Sequence, residues 1–307
     1  MKLEDFANII KRRVQQELGE GYEVVIKEVR KNNGVLYTGL MIMSGKHNVS
    51  PTIYLDDFYE AYCHGYEVSK IVKCVLEAYE SDMPKNSVDM SFFEDFAMVK
   101  DRICFRLVEK DKNEELLQKV PHTDFLDLAV VFYYAYESEE LGRGSILIYN
   151  NHVELWNTDT EELMALAKEN TPRLFPWECC TMKTMINEIM MQKKKEYGEE
   201  YCPEYDEEAF FEDVPMYVLS NSTRVFGASS ILYPDVLEKL AENIKDSFYI
   251  LPSSIHELII LHDKGTESRQ TLKEMIATVN RTQVREPEIL SDSLYYYNYK
   301  SKQILIL

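Results

Sequence analysis

No apolar run in this chain approaches the roughly eighteen residues needed to cross a bilayer. The first residues, Met1-Lys2-Leu3-Glu4-Asp5-Phe6, carry acids where a secretory leader carries its apolar segment, so no leader is expected. The cysteines are Cys63, Cys74, Cys104, Cys179, Cys180 and Cys202, and no two form a C-x-x-C pair. Their spacing fits neither a zinc site nor a disulfide framework, and a chain of 307 residues does not need covalent staples. A reduced, cytoplasmic protein is the expectation. Walker and dinucleotide fingerprints are missing, as is the strained G-x-S-x-G turn that presents a nucleophilic serine. We expect no cofactor and no bound metal.

Basic residues are also scarce: 34 against 53 acidic ones, a formal charge of −19. So negative a surface repels phosphate backbones and anionic membranes, and no basic–aromatic stripe offsets it. Neither nucleic acid nor membrane is therefore an expected partner. The simplest use of the charge is solubility. A sharper use is mimicry of a nucleic acid by an inhibitor.

What the chain does contain is regular periodicity. Leu3, Phe6, Ile10, Val14 and Leu18 recur at helical spacing, and Gly19 and Gly21 end the pattern. Residues 22–29 alternate, Asn33-Gly34 is a hairpin signal, and 35–42 return as a second strand. A short helix is expected over 54–62 and a longer amphipathic one through Val68, Ile71, Val72, Val75, Leu76 and Tyr79. Residues 102–108, 125–136 and 145–149 read as strands. Thr158-Asp159-Thr160-Glu161 has capping-box spacing for a helix to about residue 168, with Pro172 beyond its end. Met182, Met185, Ile186, Ile189 and Met190 mark another helix face. Half of residues 196–213 are acidic, which suits a linker. Beyond it, strands at 216–219, 248–251 and 257–261 alternate with helices, and a hairpin around Lys300-Ser301-Lys302 closes the chain.

Candidate chemistry concentrates after residue 220. His256-Glu257 lacks the second histidine of H-E-x-x-H. The next one, His262, lies about 600° further around a helix or about 20 Å along a strand, so the pair cannot share one ion. Ser254, His256 and Glu257 are candidates for an unrecognised hydrolase site, with Asn221, Ser253 and Asn280 as candidate ligand-binding residues. The plainer expectation is that Ser253 and Ser254 bond the backbone of a turn behind Pro252. The adjacent pairs Cys63-His64 and Cys179-Cys180 point their side chains apart on helix or strand, which favours buried, inert thiols. Asp56, Asp57 and Glu60 fit the solvated face of a short helix. Gly142-Arg143-Gly144-Ser145 precedes a strand, whereas a phosphate loop follows one. Lys193-Lys194-Lys195 complements the negative end of a helix.

Two blocks carry a resemblance. One runs from Asn48 to Tyr79. The other includes Met216-Tyr217-Val218-Leu219-Ser220-Asn221, Gly227-Ala228-Ser229, Tyr233-Pro234-Asp235-Val236-Leu237, residues 249–257 and Val279-Asn280-Arg281-Thr282. Together they resemble a bacterial family of unknown function, domain of unknown function 5688. The resemblance implies an accessory cytoplasmic protein of Gram-positive anaerobes and supplies no catalytic residue to carry over.

The reading is an α+β fold with mixed or antiparallel sheets and packed helices. An N-terminal region (1–195) and a C-terminal module (214–307) are expected to be joined by the acidic segment 196–213. The leading function is non-catalytic binding or regulation, with a protein or small molecule as partner. The hydrolase and the nucleic-acid mimic are the alternatives.

Overall fold

The computed structural model describes residues 1–45, 47–84, 89–138, 142–197, 216–252, 254–265 and 268–307. The fold is α+β, with three antiparallel sheets among the described residues. Two compact units emerge: residues 1–95 with 136–144, and residues 96–135 with 145–307.

The first unit opens with α1 (Leu3–Leu18), followed by β1 (Tyr22–Arg30), β2 (Leu36–Ser44), β3 (Thr52–Tyr54), α2 (Asp56–Cys63) and α3 (Val68–Asp82). The strands form one sheet in the order β1-β2-β3. Phe6, Ile10 and Val14 of α1 and Ile71, Val72 and Val75 of α3 meet Val24, Leu40, Ile42 and Ile53 from the sheet. Each such buried side chain contributes about 1.5–3 kcal/mol, so periodicity alone drives this layer together. The hairpin turns where expected, because Asn33 (φ 60°) and Gly34 (φ 70°) accept left-handed backbone. Gln15 ties helix to sheet: its side-chain amide donates to Tyr22 O (2.9 Å) and accepts from Val24 N–H (3.1 Å).

The second unit holds α4 (Phe96–Val99), β4 (Ile103–Glu109), α5 (Glu114–Leu117), β5 (His122–Phe125), β6 (Leu128–Ser138) and β7 (Gly142–Leu147), the tip of the β6–β7 hairpin grouping with the first unit. Then come α6 (Asn150–Trp156), α7 (Thr160–Leu174), β8 (Trp177–Thr181), α8 (Met182–Tyr197) and β9 (Met216–Asn221). The chain closes with α9 (Val236–Ile244), β10 (Phe248–Leu251), β11 (Leu258–His262), α10 (Arg269–Thr282), β12 (Tyr295–Asn298) and β13 (Gln303–Ile306). One sheet is centred on β6, which pairs with β4, β5 and β7; the other runs β13-β12-β10-β11-β9-β8. Leu272 and Ile276 of α10 pack on Tyr249, Leu251 and Leu261 of the larger sheet.

Three features differ from the sequence reading. Residues 125–136 are not one strand: the chain turns at Leu126 (φ 56°) and Asp127, so that Phe125 faces Leu128 in the β5–β6 register. The helix starting near residue 159 is capped by Asp159, which accepts from Glu162 N–H (2.9 Å), and it continues through Pro172 to Leu174. Its final turn is held from outside. Asn170 Nδ2 donates to the carbonyls of Lys100 (2.8 Å) and Ile103 (3.0 Å), Thr171 Oγ1 accepts from Phe105 N–H (3.2 Å), and Arg173 donates to Asp101 O (2.6 Å). Two of these bonds, at Ile103 O and Phe105 N–H, cover the start of the open edge of β4, which an unprotected edge strand would leave available for pairing.

The third difference is at Trp177–Thr181, which the sequence reading gave no element: it forms β8 and pairs with β9, Trp177 opposite Asn221 and Thr181 opposite Tyr217. Most of the expected linker 196–213, Cys202 included, lies outside the described residues, as do residues 139–141.

Candidate functional site: the loop after the ninth strand

Antiparallel pairing builds this site. Leu219 of β9 lies opposite Leu258 of β11. The end of β9 and the residues just before β11 are therefore neighbours, although some thirty-five positions separate them in sequence. Ser220 Oγ donates to His256 O (2.8 Å) and fastens the two together.

The loop leaving β9 is wound on Asn221, which is buried at 2% exposure. Its Nδ2 donates to Val225 O (2.9 Å), and its Oδ1 accepts from the N–H (3.2 Å) and hydroxyl (3.0 Å) of Thr223. A short polar side chain that replaces backbone partners in this way fixes a tight turn. Arg224 (φ 54°) and Phe226 (φ 55°) both adopt left-handed backbone. For a residue as bulky as Phe this conformation is strained, and such strain persists only where surrounding contacts impose it. Gly227 follows. A Cβ there would lie 2.1 Å from Ser220 Oγ, 2.5 Å from His256 O and 2.7 Å from Asn221 N. Only glycine lets the two strand ends approach this closely.

The outcome is an ordered cluster of rings. Phe226 stacks on His256 (centroids 6.1 Å, planes 11° apart) and meets Tyr133 edge-on at 5.5 Å. His256 Nδ1 accepts from Phe226 N–H (3.3 Å), so in the neutral ring the proton sits on Nε2. The Arg106 guanidinium lies 4.6 Å from the Phe226 ring centre, a cation–π arrangement. The Arg106 side chain keeps partial exposure, but its Nε is buried and donates to no described residue. Burial lowers the Arg106 pKa, against smaller opposing effects from Tyr133 and Tyr149. Burial likewise raises the pKa of Glu257, with His256 and Arg224 pulling it back and Glu288 pushing it further up.

The expected site residues fall into two groups. Asn221, Ser254, His256 and Glu257 gather around this loop. Ser254 Oγ accepts from the backbone N–H of His256 (3.0 Å), the turn-closing role that the plainer reading gave the serines. No described hydroxyl or thiol is hydrogen-bonded to the His256 ring. Ser253 lies outside the described residues. Asn280 stands apart. Its Nδ2 donates to Ser291 O (3.1 Å) and Asp292 Oδ1 (2.6 Å), while its Oδ1, also buried, has no donor. That network continues from Ser291 Oγ to the Asp127 carboxylate (2.7 Å), which also accepts from the fully buried Tyr295 hydroxyl.

The residues that sequence reasoning missed are Phe226, Tyr133 and Arg106. A signal for Arg106 was available: it interrupts Ile103-Cys104-Phe105-Arg106-Leu107-Val108, a run otherwise apolar enough to be buried on both faces. The cysteines also divide. Burial pushes Cys104 up to about 12 and Cys179 up to about 11; Cys63 and Cys74 are exposed, for Cys63 contrary to the expectation of a buried thiol.

Among the described residues no helix is long and apolar enough to cross a membrane, and no three His, Cys, Asp or Glu side chains converge to hold a metal ion. No curated protein and no solved structure matches the chain. The model of the family of unknown function DUF5688 matches residues 3–299, nearly the whole chain, and the protein belongs to that family.

Proposed function

We propose that this protein is a non-catalytic binding protein whose recognition surface is the Phe226–His256–Arg106 cluster. The observation that carries the reading is the strained Phe226, held by Asn221, Gly227 and His256 so that its ring contacts both an imidazole and a guanidinium. Strain at a loop residue costs stability and is retained where the presented side chain has work to do. Aromatic and arginine side chains are also the commonest carriers of binding energy. Ser254 supports binding over hydrolysis, because its hydroxyl serves the turn.

The test is a screen of organic acids, amines, nucleosides and short peptides by thermal shift, since a ligand of the native state raises its melting temperature. Hits are expected to bind the wild type and to lose about tenfold or more in affinity with Phe226→Ala. Hits that bind Phe226→Ala equally well would place recognition elsewhere. Turnover of any hit that disappears in His256→Ala would overturn the non-catalytic reading.

A further inference from the structure

We infer that Arg106 receives the oxyanion, a carboxylate or phosphate group, of a small organic ligand. The inference rests on the binding reading above and names the chemistry of that site.

Arg106 sits near the middle of β4, opposite Val131 of β6. Side chains two apart on a strand share a face, so Cys104 and Val108 flank it, and Tyr133 and Ala129 lie across from these. Cys104, Tyr133 and Ala135 form one apolar cluster, and Val108, Ala129 and Val131 belong to another. The guanidinium thus emerges on an apolar stretch of sheet, under the Phe226 ring.

The other arginines of this unit with described partners show what a settled guanidinium looks like. Arg102 donates to Ala135 O (2.6 Å), Arg173 to Asp101 O (2.6 Å) and Asn170 Oδ1 (2.8 Å), and Arg224 pairs with Glu188. Arg106 has no hydrogen bond or ion pair with any described residue, and its Nε is buried. The ionisable groups acting on it are the phenols of Tyr133 and Tyr149, with no carboxylate among them. A guanidinium is all donor and no acceptor. Its planar fork of N–H groups matches the two oxygens of a carboxylate or phosphate. A guanidinium whose Nε is buried without an acceptor is a costly arrangement that an arriving anion relieves. The half-buried Phe226 ring beside it suits an apolar body attached to that anion. The overall charge of −19 disfavours a free polyanion.

The test titrates the full-length protein, labelled for observation of arginine Nε–H resonances, with sodium benzoate and separately with inorganic phosphate. Ionic strength is held constant with chloride. The Arg106 signal is assigned by its absence from Arg106→Lys. Saturable movement of that signal with either probe is expected, and the stronger probe identifies the oxyanion class. The same titration by calorimetry is expected to weaken about tenfold or more in Arg106→Met, because the charged fork is gone. An Arg106 signal unmoved by both probes overturns the inference, and the titration itself is read on folded wild-type protein. The two readings fail separately. Binding of screen hits that Phe226→Ala abolishes but Arg106→Met leaves intact would sink the oxyanion assignment alone. Absence of any hit in the screen would sink the binding surface itself.

Discussion

Two buried polar regions of the C-terminal unit handle the same problem differently. Around Asp127, the carboxylate takes two hydroxyl donors, from Ser291 and Tyr295, and Ser291 passes its carbonyl to Asn280. This network joins the β5–β6 turn to the segment leading into β12, and almost every group in it has a partner. Around Phe226, the backbone is strained, a guanidinium has no described partner, and a carboxyl is held above its usual pKa range by burial. Satisfied polar networks fix a unique packing, whereas unsatisfied ones cost stability. The contrast is what sets the Phe226 region apart as the candidate site.

The largest effect that would test the comparison is at Gly227. Replacing it with Ala forces a Cβ against the backbone of His256 and Asn221. A loss of about 3 kcal/mol is expected in urea unfolding, together with loss of the Phe226–His256 stack. A smaller loss would mean that the strand ends can separate. Next is Asp127→Ala, which leaves the buried Tyr295 hydroxyl without its acceptor; about 2 kcal/mol of destabilisation is expected. Arg106→Met should behave in the opposite way, from neutral to about 1 kcal/mol stabilising, since it removes a partly buried charge with no described partner rather than a partnered one. A large loss there would show that the guanidinium is already paired.

Glu257→Gln gives a smaller effect with a definite pH dependence. The folded-state pKa of Glu257 is raised, so the native protein binds its proton more tightly than the unfolded chain. Stability therefore falls as pH rises from the ordinary glutamate value through the raised one, and stays at the lower level above it. The glutamine variant should be the more stable at neutral pH, with the difference vanishing in acid. Equal stability of the two proteins from acid to neutral pH would contradict the raised value. The mildest test leaves the fold untouched. Iodoacetamide at pH 8 should label Cys63 and Cys74 and spare Cys104, whose thiol is held protonated by burial up to about 12. Labelling of Cys104 in native protein would show that the apolar cluster beside Arg106 opens to solvent.

Much of the fold was legible in the sequence because its signals are local. The α1 stripe, the Asn33-Gly34 hairpin, the α10 stripe and the β12–β13 hairpin each depend on residues within one turn or one strand of each other. The misreadings share one cause. Nothing in 125–136 resembles a glycine or proline break, yet the chain turns at Leu126, because β5 must fold back on β6. Pro172 sits inside a helix because bonds from Asn170, Thr171 and Arg173 to the β4 region hold its last turn. Trp177–Thr181 becomes a strand because β9 is there to pair with it.

By itself, the sequence determined the α+β class and most of the elements. Only the tertiary structure decided that His256 rests on Phe226, that Arg106 reaches them from a strand more than a hundred residues earlier, and that the acidic segment connects neighbours in one sheet. The physical reason is range. Periodicity, caps and turns are set by neighbours along the chain, whereas burial, ring stacking and the absence of a counter-charge depend on which strands pair.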